Sequence, residues 1–117
     1  MPRNFSRTAV SFEVLCDLPS GPLEARVSDI SVSGCFIDAV AGAEAAARTG
    51  EIVPLRIKID EEEWLALRGV VAFLREGRGF GLQFIDLGAG DIGLLERAIL
   101  KHSGNPWDRD GAGDYRV

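Results

Sequence analysis

Several features that would assign this chain to a membrane, secreted or nucleic-acid-binding class are missing from its sequence. No apolar run approaches the roughly 18 residues that cross a bilayer, and the polar opening MPRNFSR lacks the apolar segment of a signal peptide. The formal net charge of −5 argues against a general nucleic-acid binder, which is normally basic. The two cysteines, Cys16 and Cys35, fit reduced thiols in apolar strands. We therefore expect a cytoplasmic protein that neither inserts into membranes nor binds nucleic acid.

Recognisable catalytic motifs are absent as well. The sequence has no HExxH, no CxxC and no Walker glycine loop, and the glycine-rich stretch 77–81 joins two predicted strands without opening a helix. His102, the only histidine, falls at the end of a predicted helix, where it complements the helix dipole or is simply exposed. No carboxylate pair suggests an acid–base dyad. We expect neither an enzyme nor a bound metal or cofactor.

The sequence contains instead a succession of short alternating apolar segments separated by turn residues. In TAVSFEVLCDL, for example, every second residue from Val10 to Cys16 is apolar, which is the period of a half-buried strand. Six such segments follow one another without a long crossover, and a helix with Asp91 as its N-cap comes after them. This pattern predicts an all-β fold, a six-stranded antiparallel β-barrel with a C-terminal α-helix. We assign residues 1–102 to this domain and residues 103–117 to a flexible polar tail.

One segment, DISVSG at 29–34, departs from the regular alternation. In the predicted strand that precedes it, the apolar residues fall at odd positions from Leu23 to Val27, whereas from Ile30 they fall at even positions. We therefore expect a bulge near Ser28 and Asp29. If the chain stays extended beyond the bulge, three polar side chains share one side of it: Asp29, Ser31 and Ser33.

Two interpretations of this segment remain open from the residues alone. In the first it is a tight polar turn whose side chains bond to backbone amides, with Gly34 in a conformation that other residues resist. In the second it is a binding edge. The Asp29 carboxylate can accept hydrogen bonds from the N1–H and N2–H groups of guanine, a serine hydroxyl can bond to a phosphate oxygen, and Gly34 lets the backbone approach the ligand. Ile30 and Val32 would hold the segment from the other side.

A second polar motif, RNFSR, places Arg3 and Arg7 four residues apart. With this spacing both side chains project to the same side of a helix or of an extended segment. Guanidinium groups bind phosphate through paired hydrogen bonds, stack on flat rings and read the O6/N7 edge of guanine. The alternative is an ordinary solvated N-terminus that carries two charges.

The two motifs have the forms RxxxR and DxSxxG, and in this order on a six-stranded pattern they resemble the PilZ domain, a bacterial receptor module for cyclic di-GMP. The resemblance runs from Arg3 to about Lys101 and includes the stretches RTGEIVPLRIKI and RGVVAFLREGRGFGLQF. It implies a PilZ-type barrel in which Arg3 and Arg7 grip guanine and phosphate. It also implies that the other side of the ligand is contacted by Asp29, Ser31 and Gly34, with Ser33 as a further candidate.

The resemblance implies a cyclic di-GMP receptor that signals to a partner protein, since the sequence shows no output domain beside the barrel. An N-terminal arm bearing the two arginines would close over the nucleotide and create a surface for that partner. The sequence departs from the family pattern at Pro2, where many members carry a further arginine. The alternative function is a protein-interaction adaptor of the same fold that binds no nucleotide.

Overall fold

Six antiparallel strands and one helix make up the computed structural model, which describes residues 8–39 and 47–103. The elements in chain order are β1 (Thr8–Leu18), β2 (Gly21–Ile30), β3 (Gly34–Asp38), β4 (Ile52–Asp60), β5 (Glu63–Arg75), β6 (Gly79–Ile85) and α1 (Ala89–Ser103). The strands close into a barrel in the order β1-β2-β3-β6-β5-β4. The predicted fold is therefore confirmed.

Alternating apolar side chains from the strands fill the interior of the barrel. In β1 every second side chain from Phe12 to Leu18 is buried, and β4 shows the same pattern from Val53 to Ile59. Phe80 of β6 is fully enclosed. The period of two in the sequence thus corresponds to an inward and an outward face of each strand.

A bulge interrupts the pairing of β2 with β3 between Val27 and Asp29, where the change in alternation predicted one. Val27 and Ile30 are both fully buried. The bulge allows this because it shifts the phase of the strand, so that both apolar side chains face the core. The glycine-rich stretch 77–81 runs from the β5–β6 turn into β6, as predicted for a hairpin.

Helix α1 packs its apolar stripe against the barrel. Leu95 and Ala98 are buried in the core, and the helix contacts β1, β4 and β5. The helix begins at Ala89, so the prediction that Asp91 is its N-cap is wrong. Asp91 lies in the first turn instead, and its carboxylate accepts a hydrogen bond from the Gly88 N–H at 3.0 Å. The carboxylate still satisfies a backbone donor at the start of the helix.

The other end of α1 is tied to the β4–β5 turn by an ion pair between Lys101 and Asp60, whose atoms Nζ and Oδ2 lie 3.1 Å apart. A hydrogen bond from the Glu61 backbone N–H, together with the Lys101 contact, lowers the pKa of the Asp60 carboxyl. His102 is exposed at this helix end, and its ring meets the Phe12 ring edge-on at 4.7 Å between centroids. Over the residues described, no helix has the length and apolar character needed to cross a bilayer.

Candidate functional site

The polar segment singled out in the sequence spans the end of β2 and the turn into β3. Asp29 lies in β2, opposite Ala9 of β1 and Phe36 of β3, and it is half-buried. Because its neighbour Ile30 is fully buried in the core, the Asp29 side chain lies on the outer face of the barrel. The carboxylate therefore lies on the side of the sheet that faces away from the barrel core.

Strand β2 ends at Ile30, so residues 31–33 form a turn and not the extended segment that the alternation suggested. The Ser31 N–H donates to the Gly34 carbonyl at 2.9 Å, and the Ser33 N–H donates to the Ser31 hydroxyl oxygen at 3.1 Å. The hydroxyl oxygens of Ser31 and Ser33 lie 3.0 Å apart and share a hydrogen bond. Ser31 is only 2% exposed, whereas Ser33 is half-buried. Ser31 therefore organises the turn, as the turn interpretation proposed.

Gly34 allows β3 to approach β6 closely. It pairs with Gln83, and a Cβ atom added to it would collide with the backbone carbonyl oxygen of Leu82. The Ser33 carbonyl accepts a hydrogen bond from the Phe84 N–H at 2.9 Å, which holds the turn against the same strand. The close approach of β3 to β6 therefore requires a glycine at this position. This requirement is separate from the close ligand approach that the sequence suggested.

The predicted guanidinium pair, Arg3 and Arg7, lies outside the described residues. Thr8, which follows Arg7 directly in the sequence, begins β1 and pairs with Ile30. Consecutive Cα atoms are about 3.8 Å apart. The first residue after the RxxxR motif therefore pairs with a residue of the DxSxxG motif.

Two arginines that the sequence alone did not indicate lie over an aromatic pair next to Asp29. Phe36 is only 6% exposed, yet it lies outside the core cluster because its ring is on the outer face. Phe73 stacks on it with ring centroids 6.0 Å apart. The guanidinium carbons of Arg75 and Arg78 each lie 5.9 Å from the Phe36 centroid. The run of three apolar residues at 35–37 in β3 did not show which side chain faces outward or which side chains cover it.

The ionisable groups in the described part of the chain include one strongly perturbed thiol. Burial, assisted by the neighbouring Asp17 carboxylate, raises the pKa of Cys16 to about 12, so the thiol is uncharged near neutral pH. No group of three or more His, Cys, Asp and Glu side chains within the described ranges is arranged to hold a metal ion. The polar groups around Asp29 are its carboxylate, two hydroxyls and flat cationic groups, all of which can form hydrogen bonds.

A model of the PilZ domain family matches residues 2–101 of the chain. The structure is also similar to a PilZ domain of YcgR from Escherichia coli, solved with c-di-GMP. That likeness has a TM-score of 0.77 and 12% sequence identity, and it covers 87% of this chain and 92% of that one. No curated protein matches the chain.

Two further solved structures share the fold. The inhibitor of motility MotI/DgrA from Bacillus subtilis has a TM-score of 0.71 and 22% identity, covering 86% of this chain and 50% of that one. The PilZ domain of CeSA from a cellulose-synthesizing bacterium has a TM-score of 0.59 and 18% identity, covering 82% of this chain and 96% of that one. The chain thus spans only half the length of the motility inhibitor, and at these identities the likeness concerns the fold.

Proposed function

The chain belongs to the PilZ domain family, and we propose that it is a cyclic di-GMP receptor that signals to a partner protein when the nucleotide binds. The observation that carries the proposal is the pairing of Thr8 with Ile30. Thr8 directly follows the RxxxR motif of residues 3–7 in the sequence, and Ile30 belongs to the DxSxxG motif of residues 29–34. The start of β1, one residue after the first motif, therefore lies beside the second motif.

In the proposed complex, Arg3 and Arg7 bind the phosphates and one guanine face, because guanidinium groups pair with phosphate and stack on flat rings. Asp29, on the outer face of the barrel, accepts hydrogen bonds from the N1–H and N2–H groups of a guanine. Each hydrogen bond to a charged group contributes about 1.5–3 kcal/mol. The negative net charge of the chain is compatible with this, since the two cations proposed to bind the ligand are only four residues apart in the sequence.

The two serines have different roles in the proposal. The Ser31 oxygen accepts the Ser33 N–H, and Ser31 is buried, so it keeps the turn in shape. When Ser31 donates its hydroxyl hydrogen to the Ser33 oxygen, Ser33 retains its own O–H for a ligand oxygen. Gly34 keeps the turn close to β6. We therefore expect Ser33 to contact the nucleotide and Ser31 to position Ser33.

Isothermal titration calorimetry with cyclic di-GMP tests the proposal. We expect the full chain to bind with a Kd of about 1 μM or below, Arg7→Ala to abolish binding, and Asp29→Ala to weaken it by about tenfold or more. The matched control is Arg56→Ala, which removes the same charge from an exposed position on β4, across the barrel from β3. This control should bind like the wild type. Absence of heat from the wild-type chain at high ligand concentration contradicts the proposal.

Base specificity provides a second test of the role of Asp29. Adenine carries neither an N1–H nor a 2-amino group, so it offers no donors to the carboxylate. We expect cyclic di-AMP, which has the same phosphodiester ring, to give no measurable binding in the same titration. Equal affinity for the two nucleotides would mean that only the phosphates are recognised.

Signalling to a partner follows from the proposed position of the ligand. The nucleotide would connect the residues before Thr8 to the turn at 31–33, forming a surface that neither segment provides alone. Affinity purification with and without cyclic di-GMP tests this expectation. A partner retained only with the nucleotide, and lost in Arg3→Ala/Arg7→Ala, supports the receptor. A partner that binds the variant equally well without nucleotide supports the adaptor alternative.

A further inference from the structure

Two phenylalanines form an aromatic platform on the outside of the barrel, next to the proposed nucleotide site. Phe36 of β3, Gly81 of β6 and Phe73 of β5 are neighbours across three adjacent strands. A Cβ atom on Gly81 would collide with the Phe73 ring. The glycine therefore lets Phe73 cross β6 and stack on Phe36, with the two ring planes 25° apart.

The two arginines at the turn of the β5–β6 hairpin, Arg75 and Arg78, lie over this aromatic platform. The Arg75 guanidinium carbon is 5.9 Å from the Phe36 centroid and 5.6 Å from the Phe73 centroid, and that of Arg78 is 5.9 Å from the Phe36 centroid. These distances lie within the cation–π range of about 6 Å. The hairpin turn holds the two residues together, because the Arg78 N–H donates to the Arg75 carbonyl at 3.0 Å.

The arrangement brings two positive charges to one aromatic ring. Arg75 and Arg78 are both exposed, and their cation–π contacts leave guanidinium N–H groups available as donors. The ion pairs found within the described residues connect other side chains, namely Glu13 with Lys58, Arg68 with Asp86, and Asp60 with Lys101. An anion bound between the two guanidinium groups would offset their mutual repulsion and accept their hydrogen bonds.

We propose that Arg75 and Arg78 form a second guanidinium pair of the nucleotide site, which binds a phosphodiester group and stacks on a purine face of cyclic di-GMP. The inference rests on the proposed function. Phe36 lies directly opposite Asp29, and both guanidinium groups lie over its ring. Phe36 is therefore a common neighbour of the guanidinium groups and of the carboxylate assigned to guanine. In the barrel, β3 with Phe36 lies between β2 with Asp29 and β6, so the carboxylate and the β5–β6 hairpin belong to one continuous part of the sheet.

The test is the cyclic di-GMP affinity of the full chain carrying Arg75→Gln and Arg78→Gln, measured by isothermal titration calorimetry. Glutamine keeps an aliphatic stem that covers the phenylalanine rings, and it removes both charges. We expect an affinity loss of about tenfold or more. The affinity of the variant should also fall less steeply with added salt, because fewer cations contact the phosphates. The matched control is Arg56→Gln/Arg97→Gln, at two exposed positions on β4 and α1, which should keep the wild-type affinity within about twofold.

A lysine pair, Arg75→Lys/Arg78→Lys, distinguishes flat guanidinium contacts from simple charge. We expect this variant to bind cyclic di-GMP at least about fivefold more weakly than the wild type does. Lysine keeps the positive charge but lacks the planar guanidinium group and its paired hydrogen-bond donors. Thermal unfolding of each variant checks that the barrel is intact. Wild-type affinity in the glutamine pair, or full recovery in the lysine pair, overturns the inference and leaves the proposed function standing. A wild-type chain that does not bind cyclic di-GMP contradicts the proposed function, and the inference with it.

Discussion

Asp29 of β2 and Phe36 of β3 lie directly opposite each other, so a carboxylate and a covered aromatic ring are neighbours on the outer face of the barrel. Side chains in such positions have Cβ atoms roughly 4.5–5.5 Å apart. The pairing connects a polar motif that is visible in the sequence with an aromatic and arginine-rich surface that is not. Both belong to the nucleotide site that we propose.

The Asp29→Asn substitution separates the charge of this side chain from its shape. A carboxylate can accept two hydrogen bonds from guanine, whereas an amide offers one acceptor and one donor group that faces the guanine donors. We expect the affinity for cyclic di-GMP to fall by about tenfold or more. Asp17→Asn, at an exposed position of β1, should leave the calorimetric Kd unchanged. An unaltered Kd in Asp29→Asn would remove this residue from the site.

Gly34→Ala should destabilise the barrel in the absence of any ligand. The added methyl group meets the Leu82 carbonyl oxygen, and displacing a paired strand costs about 1–3 kcal/mol in the free energy of unfolding. Urea denaturation followed by circular dichroism measures this loss.

Gly93→Ala is the control for that measurement. Gly93 lies within α1, and a Cβ atom there would have no neighbour within 4 Å. Alanine should therefore raise the stability by about 0.5–1 kcal/mol through its higher helix propensity. If Gly34→Ala kept full stability and lost only ligand affinity, the approach to β6 would not be the reason for the glycine.

The strands of the barrel could be predicted because apolar residues with a period of two separate an inner from an outer face. The bulge was predictable for the same reason, since the shift in phase between Val27 and Ile30 has no other simple solution in a continuous strand. The helix was predictable from its apolar stripe. The residue at which the helix begins was not predictable, because an aspartate can accept a backbone N–H from the first turn, as Asp91 does, as well as from the N-cap position.

The remainder of the candidate site depends on contacts between distant segments. The sequence indicated that Ser31 is polar, but its burial follows from the turn that it forms with Ser33. Phe36 is buried on the outer face, where Phe73 stacks on it from β5 across Gly81 and two arginines lie over its ring. Local alternation carries no information about such a partner, and therefore the arginines on that platform were not predicted.

Alanine substitutions of the two serines should rank in opposite order for the loss of stability and for the loss of affinity. Ser31→Ala removes the acceptor of the Ser33 N–H in a buried turn, which should lower the free energy of unfolding by about 1–2 kcal/mol. Ser33→Ala removes one hydroxyl from a half-buried position, so it should lower stability less and cyclic di-GMP affinity more. Urea denaturation and calorimetry on both variants provide the comparison. The same ranking of the two variants in both measurements would contradict the division of roles between the serines.

The Cys16 thiol should make the stability of the barrel depend on alkaline pH. Burial, with a contribution from Asp17, raises the pKa of Cys16 from 9.0 to about 12. The folded state therefore holds this proton more tightly than the unfolded state. The resulting stabilisation is complete below pH 9 and is lost as the pH rises from 9 to about 12.

We expect Cys16→Ala to flatten this part of the pH profile. Above pH 9, the thiol should cost the wild type about 1.4 kcal/mol of unfolding free energy for each pH unit, and the variant should lack that slope. Urea denaturation at about pH 8 and about pH 10 measures the difference, and comparing slopes removes the constant cost of the lost side chain. Parallel profiles would show that Cys16 titrates normally. In that case the native thiol would also react readily with a thiol reagent at neutral pH, whereas a buried protonated thiol should react only on unfolding.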